Sequence, residues 1–516
     1  MQFDTDLLVV SDIHLGAGLR ADGSYSRHEE FFYDHEFAAF LQYYQKKSRN
    51  TGRPLKLVLN GDILDFLAVR EVPTETQVKE LDIRLNRSEI KYGMGSSEQK
   101  SVWKLRQIIH GHRIFFDALV DFVSKGHWII WVRGNHDIEL FWPAVRHELT
   151  LALHQLAQER NKNPDILCEH MTFADWFYYE PGRIYIEHGN QYDPTNALEA
   201  QLVPLLPQGA YDAEERLLDY PIGNLFARYV YSQIRAIDPY RTHVITFAHY
   251  LSVTRSYNVL DFLRTLYFNF PFFVRAVRNT TQFTRADIEQ LQQKQHRACE
   301  EYARTTGLPA QTVHEIDALR SRPLGRSSYE IFREMFRPFL RQVLIFSGIG
   351  LLSIYGWILI FTTLSSVLAD SIFGRASLIA VLAVLSVLGL FLTLTKIGKA
   401  IDTYTDPLVP QTREKGFAIA RITGVPVVVM GHTHIAECVH NNGIIYVNSG
   451  TWIPLPGPWD HLQPAGRQFT FVEVTNTTAK LLRWNAALGQ PLPPLILAEE
   501  PAPAMDRVMG DDFFHP

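Results

Sequence analysis

Five times along this chain a short run of apolar, largely β-branched residues stops at a cluster of aspartate, asparagine or histidine. The stretches are "DLLVVSDIHLG", "LKLVLNGDILD", "WIIWVRGNHDIE", "RIYIEHGNQYD" and "VVVMGHTHIAE". Apolar runs of this length that end on glycine and polar residues read as core strands leading into loops. Strands packed side by side place their C-terminal ends on one rim, so loops distant in sequence converge there. The converging residues are Asp12 and His14, then Asp62 and Asp65, then Asn135, His136 and Asp137. His188, with Asn190 and Asp193, and finally His432 and His434 complete the set.

Imidazoles and carboxylates gathered at one rim are metal ligands by chemistry. The mixture favours Zn, Mn or Fe over Ca or Mg. Two cations held close together need a bridging oxygen ligand, and Asp62 is suited to that. Glycines at 61, 134, 189 and 431 let the backbone turn sharply beside the ligands. Any one stretch alone would pass for a surface turn, since "NGD" is a common turn signal. Five in this order are not explained by turns.

D-x-H, G-D-x-x-D, G-N-H-D, a strand-end histidine and G-H-x-H, in this order, resemble the calcineurin-like metallophosphoesterases over residues 5–195 and 424–475. The resemblance implies an α/β fold, a sandwich of two β-sheets flanked by helices. It implies two divalent metal ions (Mn, Fe or Zn), one held by Asp12, His14, Asp62 and His434. The other would be held by Asp62, Asn135, His188 and His432. It also implies that His136, beside a ligand but not itself one, stands near the leaving-group oxygen. The implied activity is in-line hydrolysis of a phosphoester or diphosphate bond.

Asp65 is a candidate to orient His136, and equally a residue near a helix N-terminal cap. Asn196, in "QYDPTN", is a candidate substrate contact, although Asp193-Pro194 is first of all a turn signal. The "HGH" at 110–112 follows a helical pattern, and His110 and His112 read as helix-surface residues. His28 and His35 read the same way.

Residues 343–368 and 376–395 carry no charge. Each is about the ~20 residues needed to span a bilayer. Arg333, Arg337 and Arg341 precede the first run, and Lys396 and Lys399 follow the second. By the positive-inside rule both ends of such a hairpin face the cytoplasm. The alternative is a pair of buried core helices. We expect a metallophosphoesterase core at 1–205 and 401–485, a helical insertion at 206–335 and the hairpin at 336–400. A Pro-rich tail at 486–516 would follow. The N-terminus lacks a basic segment followed by an apolar one, so no cleaved signal peptide is expected.

The aromatic, arginine-bearing stretch 223–280 reads either as an ordinary helical subdomain or as membrane-surface helices forming a lid. Arginines from Arg320 to Arg341 would suit anionic headgroups. Three scattered cysteines exclude a disulfide framework or a Cys-based zinc site. A net charge of −5 and no basic stripe argue against nucleic acid. The expected partners are membrane lipids and a phosphorylated-lipid or nucleotide-linked substrate, with the catalytic domain cytoplasmic. "SDIHLG" with "GHTH" is similar to the UDP-2,3-diacylglucosamine hydrolases, which carry arginine where this chain has His136. A membrane-anchored phosphodiesterase for a soluble nucleotide and a non-catalytic scaffold are the alternatives.

Overall fold

The computed structural model describes residues 3–26, 28–207, 216–229, 283–324, 408–453 and 469–494, with isolated positions between 268 and 381. Five strands belong to the runs that opened the sequence reading: β1 (Asp6–Val10), β2 (Leu55–Asn60), β3 (Trp128–Val132), β6 (Ile184–Glu187) and β7 (Val427–Met430). With β4 (Met171–Ala174) and β5 (Phe177–Glu180), and with β8 (Glu437–Asn441), β9 (Ile444–Asn448), β10 (Thr470–Thr475), β11 (Thr478–Asn485) and β12 (Gln490–Leu492), they build two mixed sheets.

The seven-stranded sheet has the order β12-β11-β10-β1-β2-β3-β4, and the five-stranded sheet β5-β6-β7-β9-β8. Strands β1, β2 and β3 are parallel neighbours in the first, and β6 and β7 in the second. Their C-terminal ends therefore share a direction within each sheet, which is why the polar clusters meet. The first residues of the expected tail pair with β11 as β12.

Alternation along the strands divides the core. Leu7, Val9, Val58, Ile130 and Val132 of one sheet meet Ile184, Ile186, Val427, Val429 and Val447 of the other. Each such side chain, fully buried, contributes roughly 1.5–3 kcal/mol. The outer face of the larger sheet is covered by α1 (Asp34–Thr51), whose Phe40 packs on Phe471 and Trp484. Helices α2 (Glu98–Gly111) and α3 (Arg113–Val123) follow, and Phe37 of α1 stacks on Phe115.

On the smaller sheet, α6 (Arg285–Thr306), α7 (Ala310–Asp317) and α8 (Leu408–Thr423) form the cover; earlier in the chain, α4 (Pro143–Glu159) packs against α2 and α3, and α5 spans Ile222–Tyr229. Cys299, Ala303, Val313, Ile316, Phe417 and Ala420 pack there against Phe177, Tyr185, Val428 and Tyr446. Part of the expected insertion thus belongs to the sandwich. Residues 1–235, 267–326 and 407–516 form one compact unit, and 236–266 with 327–406 form another.

The expected hairpin lies almost wholly outside the described residues, as does most of 230–282. Among the described residues no helix is long and apolar enough to cross a membrane. Described positions of the first uncharged run are helical, with Leu352 72% and Tyr355 63% exposed. In the same stretch Thr362 and Thr363 turn their hydroxyls back onto the carbonyls of Ile358 and Leu359. That satisfies both polar groups within the helix.

Candidate metal centre

The loops leaving β1 and β2 run side by side. Asp12 N donates to Gly61 O at 3.1 Å, and the amides of Ile13 and His14 both donate to Asp62 O. The third loop is tied on by His136 N, which donates to Asp62 Oδ1 at 2.8 Å. Asp137 fastens the same loops, accepting from Gly134 N at 2.6 Å and from Ile63 N at 3.0 Å. From the other sheet, Gly431 N donates to His188 O, and His432 N donates to Asp12 Oδ2 at 3.1 Å.

This crossing of loops requires unusual backbone. Asp12, His14, Asp62, His432 and His434 have φ between 53° and 68°. The left-handed region costs a non-glycine residue about 1–3 kcal/mol, and such strain gathers where function holds it in place. Gly431 is needed for approach, since a Cβ there would lie 2.6 Å from Ser11 Oγ.

The structure brings the expected ligands together in two groups. Asp12, His14 and His434 offer ligand atoms within 4.8 Å of one another, and so do Asp62, His188 and His432. His14 and Asp62 also group with His136, so the two clusters adjoin. His434 Nε2 lies 3.2 Å from Asp12 Oδ1, and His188 Nε2 lies 3.1 Å from Asp62 Oδ2. His188 Nδ1 is 3.0 Å from Asn60 O, which fixes the tautomer and turns Nε2 into the site.

Asn135 enters with both ends of its amide. Its Nδ2 donates to Asn224 Oδ1 at 3.1 Å and approaches Asn196 Oδ1 at 3.5 Å. Its Oδ1 is buried and makes no hydrogen bond among the described residues. A buried carbonyl oxygen left without a donor is what a hard cation would occupy. The residues present therefore fit divalent metal ions.

Electrostatics point the same way. Burial lowers the pKa of His14, leaving a neutral imidazole with lone pairs to offer. Burial disfavours the charged form of His188 as well, but the Asp62 carboxylate outweighs it and raises His188 to about 10. Burial also opposes ionisation of Asp62, yet the surrounding histidines hold its carboxyl well below the usual range. The field that retains a proton there would equally retain a cation.

Asp65 uses its two carboxylate oxygens differently. Its Oδ1 accepts from Leu67 N and Ala68 N as a turn cap, while Oδ2 lies 3.1 Å from His136 Nδ1 and 3.6 Å from His14 Nδ1. Asn196 lies beside the site, its Nδ2 donating to Asp193 Oδ2 at 2.7 Å.

Asp193, named both among the converging residues and as a turn former, places Oδ2 3.1 Å from His432 Nε2. Asn224 on α5 donates to Asn135 O at 2.6 Å from 89 residues away. No local pattern announces it. His112 is a correction: it is buried, not on the helix surface, with Nε2 3.3 Å from Glu29 and Nδ1 3.2 Å from Asp34. The cause is Gly111, which presses on Gly18 so closely that a Cβ would collide, drawing the helix end into the core. His110 is exposed as expected.

Residues 5–228 match the family model for calcineurin-like phosphoesterases. Over those residues the chain is similar to a calcineurin-like phosphoesterase domain. That family consists of metal-dependent phosphoester hydrolases, and the activity of this enzyme is of that kind. The matched residues of the phosphoesterase domain include Asp12, His14, Asp62, Asn135 and His188 and run through Asn224. His432 and His434 lie beyond them and join by geometry. No curated protein matches the chain.

Proposed function

We propose that this phosphoesterase uses two divalent metal ions to hydrolyse a phosphoester or diphosphate bond of a membrane-associated, lipid-linked substrate. The observation that carries the dinuclear reading is the pair of adjoining ligand groups around Asp62. Bound there, two cations supply a nucleophile at neutral pH and neutralise charge on the phosphoryl oxygens.

The chain's own residues do the rest. Asp62, shared by two adjoining ligand groups, would hold both ions, and its Oδ1 is kept in register by His136 N. Although burial opposes it, the Asp65 and Asp62 carboxylates raise His136 to about 9, so its imidazole holds a proton at neutral pH. His136 donates that proton to the leaving-group oxygen as the ester bond breaks. Asp65 holds the ring by its other nitrogen and favours the charged form.

The lipid-linked substrate is supported by the second unit. Leu352, Tyr355, Ile358, Leu359 and Ile360 are helical and exposed in an uncharged stretch. Large apolar side chains exposed in series suit hydrocarbon better than water. The arginine run supports this less than expected, because Arg320 donates to Leu198 O and Glu199 O.

The test is a panel of lipid-linked and soluble phosphoesters assayed with full-length protein and added Mn²⁺, alongside alkaline carbonate extraction of membranes. We expect lipid-linked substrates to be preferred and the protein to stay in the membrane pellet. Preference for soluble nucleotides with release by carbonate would overturn the membrane reading.

A further inference from the structure

The polar surface of α6 and α7 carries a second constellation of metal-ligand type, remote in sequence from every residue of the phosphoesterase site. Helix α6 opens on a capping box at Thr284 and closes on Gly307 in the left-handed conformation. Three residues later α7 begins, so the two helices form a hairpin. Its packing is fixed by the core: Val313 and Ile316 are fully buried, and Cys299 and Ala303 meet them from α6. Gln295 locks the register by donating to Asp317 Oδ1 at 2.8 Å.

His296 and Glu300 each stand one residue beyond the buried Gln295 and Cys299, so they line the seam between the helices. His314, next to Val313, faces them from α7. The rings of His296 and His314 are 4.1 Å apart between centroids at 69°, and His296 Nδ1 is 3.8 Å from Glu300 Oε1. The three offer ligand atoms within 4.8 Å of one another.

We propose that His296, Glu300 and His314 form a zinc site that clips α7 to α6. A His-Glu pair at i and i+4 would by itself be an ordinary surface pair. The third ligand, delivered by a different helix whose backbone the core fixes, is what distinguishes a site from a pair. Zinc binds imidazole nitrogen at about 2.0–2.1 Å and carboxylate oxygen at about 2.0–2.2 Å, and three protein ligands leave one position for water. Two imidazoles with one carboxylate also match its preference over Ca or Mg. The side chains of His296 and Glu300, 63% and 49% exposed among the described residues, can close the remaining gap by rotamer adjustment.

The clip would brace a strap that reaches the phosphoesterase site. Just after α7, Ser321 N donates to Gln191 O and its hydroxyl to Tyr192 O, while Leu324 N donates to Pro194 O. These contacts grip the loop that carries Asp193 and Asn196.

The test is zinc content after equilibrium dialysis of full-length protein at micromolar free Zn²⁺, together with the Tm shift on adding zinc. Wild type should hold one zinc equivalent more than His314→Gln, and the same deficit should appear in His296→Gln, an exposed position where the fold is not at stake. In an Asp62→Ala background the His314-dependent equivalent should persist, separating it from the phosphoesterase site. Equal zinc content in wild type and both histidine variants, all folded by circular dichroism, would overturn the proposal. So would loss of all bound zinc in Asp62→Ala alone.

Discussion

His136 Nδ1 sits 3.1 Å from Asp65 Oδ2, and both side chains are buried. This leaves Nε2 as the nitrogen that meets substrate. An alkoxide leaving group needs a proton in the transition state, whereas nitrophenolate largely does not. His136→Ala should keep its metal yet slow alkyl phosphoesters by about 10²–10⁴-fold, with far less effect on p-nitrophenyl esters. Equal losses on both substrates would assign His136 to stabilising charge on the phosphoryl group.

Asn224 holds Asn135 by two hydrogen bonds, accepting from its Nδ2 and donating to its backbone carbonyl, and so aims Oδ1 into the site. Removing a partner that orients a ligand typically costs about 10–100-fold in metal affinity or activity. Asn224→Ala should raise the metal concentration needed for half-maximal activity by that factor while leaving Tm nearly unchanged. An unchanged metal dependence would show that Asn135 is aimed by its backbone alone.

His112 predicts a pH-dependent stability. Burial lowers its pKa, but Glu29 and Asp34 outweigh burial and raise it to about 10. An unfolded histidine titrates near 6.5, so the raised value contributes stability that is complete below about pH 6.5 and is lost as pH climbs toward 10. His112→Gln should cost on the order of 3–5 kcal/mol near pH 6, because it strands two buried carboxylates. The gap between wild type and variant in urea unfolding should narrow steadily up to pH 10. A gap independent of pH would mean that His112 is neutral in the fold.

The contrast between His112 and His14 shows what a sequence can disclose. His14 was legible because a strand, a turn and a ligand pair are local, and five such local signals agreed. His112 was not, because its burial depends on Gly111 meeting Gly18, and on Glu29, which also accepts from Gly16 N and Gly18 N. Asn224 belongs to the same class: it lies on a helix, and only tertiary packing turns it toward Asn135. The two-sheet division was implied by resemblance, while the recruitment of α6 and α7 to cover the smaller sheet rests on Cys299 and Val313, whose burial no periodicity of so polar a helix announces.

Asp62 tests the central claim most directly, since it touches His188, His136 and the loop of His14. Metal content and phosphoester hydrolysis should be measured on the same preparations of wild type and Asp62→Ala. Wild type should hold transition metal at the centre and hydrolyse phosphoesters, and Asp62→Ala should lose activity together with bound metal. Hydrolysis by wild-type protein in which elemental analysis finds no transition metal would contradict the account.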